Sequence, residues 1–93
     1  MKEVFAASLC REGILGGGII VDDESITYKT GKVTVSPRYR NIEMKYRDIQ
    51  SISKGWLLFF PTVSITMRNG ESFKFIIFSR QRFLWLLEGK GVH

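Results

Sequence analysis

The chain has 93 residues, one domain's worth, and its 44% hydrophobic and 25% charged residues exclude a disordered polymer. Its longest apolar runs, 13–21 and 55–61, fall far short of the about 20 residues that a transmembrane helix needs. Fourteen Lys and Arg against nine Asp and Glu leave a formal charge of +5, and the single cysteine, Cys10, excludes an internal disulfide and points to a reducing compartment.

Elements follow in chain order. Val4–Cys10 is a short apolar run behind a single Lys2, with no small-residue cleavage site after it and Leu9 too large to precede a lipidated cysteine. It reads as a first strand of a cytoplasmic protein. Gly16-Gly17-Gly18 lead into Ile19-Ile20-Val21, a second strand. Asp22-Asp23-Glu24 form a turn before Ile26 and Tyr28, which alternate with Thr27 and Lys29. Thr30-Gly31 interrupt the pattern, and Val33 and Val35 resume it until Pro37. Ile42, Met44 and Tyr46 alternate with Glu43, Lys45 and Arg47. Arg38 and Arg40 share the parity of Ile42, so a longer strand would aim two arginines at the core. The strand must therefore start near Asn41, or a bulge must reset the parity, and either way both arginines belong to an exposed loop.

Further along, Val63, Ile65 and Met67 alternate with Ser64, Thr66 and Arg68, and Phe73, Phe75 and Ile77 complete the set. Between these runs lies Asn69-Gly70, the pair preferred in a two-residue type I′ hairpin turn. One apolar and one polar face per strand marks an antiparallel sheet packed on one side. After Ser79, an expected N-cap, residues 80–88 read as one helix closed by Gly89. Phe83, Leu86 and Leu87 share a face, and Trp85 falls off it, over a sheet edge. Arg80 and Arg82 in the first turn oppose the helix dipole. The expectation is a mainly β domain over residues 1–93, with six to seven strands within 4–78 and one C-terminal helix plugging the open end of a strongly bent antiparallel sheet.

Several segments resemble GRAM and bacterial pleckstrin-homology-like (PH-like) domains. These are Phe60-Pro61-Thr62-Val63-Ser64-Ile65-Thr66, Asn69-Gly70, Phe73-Lys74-Phe75, Phe78-Ser79-Arg80 and Phe83 to Leu87, with Tyr46-Arg47-Asp48-Ile49-Gln50-Ser51-Ile52 upstream and Gly17–Asp23 with Ser25–Tyr28 at the opening hairpin. The resemblance implies a seven-stranded open barrel capped by a helix, in a family whose members bind phosphoinositides, other lipids or proteins. This chain departs from the phosphoinositide pattern: its first hairpin carries only Arg11, beside Glu12.

Reactive chemistry finds little support. Gly16–Gly18 lack the Lys and Ser/Thr of a phosphate loop and open a strand, so a bulge or close strand approach is the better account. Asp22-Asp23-Glu24 lack calcium-loop spacing. His93 is the only histidine and stands last, and Cys10 has no histidine to activate it. No zinc spacing occurs. The expectation is therefore no enzyme, no cofactor, no metal site and no small-molecule substrate.

Two features remain. Residues 29–54 hold seven bases against two acids, while the rest of the chain is balanced at seven of each. Arg38, Arg40, Lys45, Arg47 and Lys54 are the anion-binding candidates, for an anionic membrane surface and, with Tyr39 to stack on a base, less readily for nucleic acid. The second feature is Trp56, Leu57, Leu58, Phe59 and Phe60 within 55–61. Alternation buries only about half of such a segment and leaves the remainder as an exposed apolar patch, unless the helix and a barrel edge bury the strand on both sides. The reading is a non-enzymatic binding module that docks to a protein or self-associates through residues 55–61. Weak electrostatic binding to anionic lipid surfaces through residues 38–54, peripheral to the membrane, is the alternative.

Overall fold

The computed structural model describes residues 2–11, 13–31 and 40–92. Seven strands form one antiparallel sheet: β1 (Glu3–Cys10), β2 (Ile14–Val21), β3 (Ser25–Lys29), β4 (Asn41–Lys45), β5 (Ile49–Leu57), β6 (Phe60–Met67) and β7 (Ser72–Ile76). A 3₁₀ turn, Tyr46–Asp48, joins β4 to β5, and helix α1 (Arg80–Gly89) ends the fold. The order across the sheet is β4-β3-β2-β1-β7-β6-β5. Consecutive strands pair with one another up to β4 and again from β5, and β1 joins the two groups through Ser8 opposite Ile76 and Leu9 opposite Phe75. No ladder joins β4 to β5, so the barrel stays open there. This is the bent antiparallel sheet with a plugging helix that the alternation and element order imply, and the partly open, helix-capped barrel that the resemblance implies.

The inward residues are those that period two selects. Ile26, Tyr28, Met44, Val63, Ile65, Phe75 and Ile77 are fully buried. Tyr28 from β3 meets Phe75 from β7 at 5.4 Å between ring centroids, which shows how far the sheet curls over itself. Each such side chain contributes roughly 1.5–3 kcal/mol by leaving water. The open end takes Phe83 and Leu87 of α1, also fully buried, and Phe83 stands edge-on to Phe5 at 5.5 Å.

Four local expectations need correction. Asn69-Gly70 do not make a type I′ turn. Gly70 alone takes positive φ, its N–H bonds to the Met67 carbonyl at 3.0 Å, and Met67 pairs with Glu71 around a three-residue loop. The Asn69 side chain accepts the Glu71 N–H instead, at 2.9 Å. Ser79 occupies the N-cap of α1 without a side-chain cap bond. The helix runs through Gly89, and the stop comes two residues later at Gly91, with φ 78°. There the Gly91 N–H reaches the Glu88 carbonyl and the Val92 N–H the Leu87 carbonyl, each at 3.0 Å, the two bonds of a Schellman motif, with Val92 buried beside it. Finally, β4 ends at Lys45, so Tyr46 and Arg47 belong to the 3₁₀ turn and Arg47 does not share a strand face with Lys45. Val33, Val35, Pro37, Arg38, Tyr39 and His93 lie outside the described residues.

The glycine triplet is strand interior, with Gly16, Gly17 and Gly18 opposite Ser8, Ala7 and Ala6. Only the middle one is sterically required. A Cβ at Gly17 would overlap the Lys29 carbonyl oxygen and press on the Tyr28 ring, whereas a Cβ at Gly16 meets nothing within 4 Å. Gly17→Ala is therefore expected to destabilise the fold by roughly 1–3 kcal/mol. Gly16→Ala is expected to stay within about 0.5 kcal/mol of the parent. Urea unfolding of the two variants checks the contrast.

Candidate functional site

The four described basic candidates do not form one patch. Arg38 lies outside the described residues. Arg40, just before β4, is half-buried rather than exposed as its parity with Ile42 predicts. Lys45 at the end of β4 is half-buried too, and Arg47 is exposed on the 3₁₀ turn, where its carbonyl accepts the Arg68 Nε–H at 2.9 Å. Lys54 lies inside β5, five residues beyond Ile49. That is about 17 Å farther along the strand. The bulge at Gln50 and the extended run of β5 carry Lys54 toward the opposite end of the barrel. There Lys54 lines a groove of about 570 Å³ between the unpaired edge of β5 and helix α1, with Ile52, Arg80, Leu84, Trp85 and Glu88. Among the four described candidates, none lines the mouth of about 690 Å³ between β4 and the β6–β7 turn.

The apolar segment is brought together. Leu57 pairs with Phe60, and residues 58 and 59 are the two-residue turn between β5 and β6. Neither turn residue belongs to a pleated strand, so both side chains leave the sheet: Leu58 is 82% exposed and Phe59 91%. Trp56, 63% exposed, and Phe60, 37% exposed, flank them, while Leu57 is half-buried. Leu58 has φ 57°, the one non-glycine residue with positive φ among those described. A two-residue hairpin loop with positive φ at its first position prefers glycine, and a branched L-residue there costs roughly 1–2 kcal/mol.

Two residues outside the predicted segment complete the surface. Phe78 is exposed and meets Phe60 edge-on at 5.7 Å. Strand parity does not assign its position, since β7 ends at Ile76, and Ile76, of the same parity as Phe78, is buried. Arg80 braces the hairpin from behind. Its Nη1 donates to the Gly55 carbonyl at 2.6 Å and the Thr62 carbonyl at 3.3 Å, one on each strand. Its guanidinium stacks on the Trp56 ring at 4.7 Å. That explains a positive charge at a helix start. Arg82 is engaged too, paired with Glu3 at 2.6 Å and lying over the Phe5 ring at 5.7 Å. Trp85, off the buried stripe, is exposed beside the groove.

The remaining polar candidates are occupied by structural tasks. The Asp22 carboxylate accepts the N–H groups of Glu24 at 2.9 Å and Ser25 at 2.8 Å, which folds the β2–β3 turn. Asp23 pairs with Lys90 at 3.4 Å. Tyr46 donates its hydroxyl to the Asp22 carbonyl at 2.6 Å, and burial, with Asp22 and Asp23 nearby, pushes it up to about 12. Burial pushes the Cys10 thiol up as well, away from the reactive thiolate. No group of three or more His, Cys, Asp and Glu able to hold a metal occurs among the described residues, and no helix among them is long and apolar enough to cross a membrane.

The architecture defines the class: a seven-stranded open antiparallel barrel capped by a C-terminal helix. No family model matches the chain, and no curated protein matches it. Solved structures do resemble it. The crystal structure of the C-terminal domain of an unknown protein from Leishmania infantum superposes with a TM-score of 0.75 at 11% identity, covering 95% of this chain and 81% of that one. At that identity the likeness is one of fold.

Two outcomes follow from the site. Leu58→Asn, which tolerates positive φ, is expected to stabilise the protein by about 0.5–1 kcal/mol, read from denaturant midpoints. The backbone N–H groups of Glu24 and Ser25 hold the Asp22 carboxyl below its ordinary value of 3.8. A depressed pKa adds stability that is fully present above the ordinary value and is lost as pH falls through the depressed one. The thermal midpoint advantage of the parent over Asp22→Asn should therefore shrink steadily as the pH is taken below 3.8.

Proposed function

We propose that this chain is a non-enzymatic binding module of the PH-like kind that docks through the tip of its β5–β6 hairpin and performs no bond chemistry. The exposure of Leu58 and Phe59 on a turn strained to hold a leucine carries this reading. Side chains that cost stability and bury nothing inside the chain are kept for contact outside it. The support of the tip points the same way. Arg80 ties both strands of the hairpin to the helix, so Leu58 and Phe59 are presented on a rigid base, as a docking surface requires. The GRAM resemblance fits a module of this kind, because that family acts by surface recognition.

A photo-reactive phenylalanine analogue placed at position 59 tests the reading in cells. It should give adducts that the same analogue at Asn69, at the other end of β6, does not give. Equal yields at the two positions would remove the tip as the contact surface. Sedimentation of the parent against Leu58→Asp settles whether the contact is with a second copy: a concentration-dependent species lost in the variant identifies one.

A further inference from the structure

Resting on that docking reading, we propose that the tip's partner is an anionic lipid bilayer, entered by Leu58 and Phe59 with Trp56, Lys54 and Arg80 at headgroup level. Shape is the first argument. A two-residue turn is convex and narrow, and its side chains diverge. A stable protein interface needs about 800 Å² of complementary surface on each partner. A bilayer instead yields around a small apolar point.

Depth is the second. Trp56 lies two residues behind Leu58 on β5, about 7 Å back along the strand, and Lys54 about 13 Å back. Apolar groups at a membrane interface sink about 5–10 Å. Seating Leu58 and Phe59 at that depth puts the Trp56 ring in the headgroup zone, where amphipathic indoles concentrate. Lys54 then sits just outside, among the phosphates. Phe60 and Phe78 form an apolar shoulder beside the tip.

Charge is the third. Lys54 and Trp56 share one face of β5, and Arg80 lies over that Trp56 ring. Glu88, the carboxylate in the same groove, is eight residues farther along α1 than Arg80, about 12 Å from it. Arg82 is matched by Glu3 and adds little net charge. The end of the groove near the tip is therefore cationic.

Co-pelleting with phosphatidylcholine vesicles, with and without about 30% phosphatidylserine, tests the proposal, with Trp emission as a second readout. Binding should depend on phosphatidylserine, weaken in about 0.5 M salt, and bring a blue shift. Leu58→Ser with Phe59→Ser should weaken partition at least about tenfold. Lys54→Gln should weaken it about fivefold. All three changes affect exposed side chains, and unfolding midpoints near or above the parent's certify the fold. Absence of binding to phosphatidylserine vesicles, or binding indifferent to the double variant, overturns the bilayer. If vesicles fail while the analogue at position 59 still yields discrete protein adducts, the bilayer falls and the docking reading stands. Failure of both removes both.

Discussion

Phe83 enters the open end of a sheet that cannot close on itself, and the rest of the molecule is arranged around that contact. Because β4 and β5 share no ladder, the inner faces of the seven strands would meet water at the gap. Phe83 and Leu87 fill it, with Phe83 edge-on to Phe5 on β1, the strand that joins the two halves of the sheet. The helix is held at both ends. The Schellman motif at Gly91 folds Val92 back under Leu87, and at the start Arg80 and Arg82 reach out to β5, β6 and β1. Their charges oppose the helix dipole by a few tenths of a kcal/mol each, a smaller term than charge-assisted hydrogen bonds contribute.

The same brace creates the exposed surface. Arg80 joins the Gly55 and Thr62 carbonyls and covers one side of Trp56, so the hairpin beyond residue 56 extends as a rigid finger. Among the described residues, none folds back to bury Leu58 and Phe59, which stay 82% and 91% exposed. A loop selected for stability alone would carry glycine or asparagine at the positive-φ position, and a fully polar tip would hold the turn as well. Leucine and phenylalanine there oppose both backbone preference and hydration, and the conflict is local to the hairpin tip.

Much of the fold was legible because its signal is local. Period two named Ile26, Tyr28, Val63, Ile65 and Phe75 as core, and the structure buries each of them. The parity conflict at Arg40 placed the start of β4 at Asn41. Errors arose where two local rules compete. Asn69-Gly70 fit a two-residue turn and also a three-residue loop with glycine last, and the Met67–Glu71 pairing selects the second. Gly89 and Gly91 could each stop a helix, and the buried seat available to Val92 decides between them. Counting charges along the chain joined Arg47 and Lys54, whereas a bulge and the length of a strand separate them.

The sequence by itself determined the strands, the inward faces, the terminal helix and the presence of an apolar segment at residues 55–61. These follow from backbone periodicity and turn chemistry, which act over a few residues. Only the tertiary structure decided that residues 58 and 59 form a tip rather than a buried strand, that Phe78 and Arg80 join it, and that Lys54 leaves the other bases to stand beside Trp56. Those outcomes depend on where β6 returns along β5 and on where α1 docks, contacts between residues far apart in the chain that no local pattern encodes.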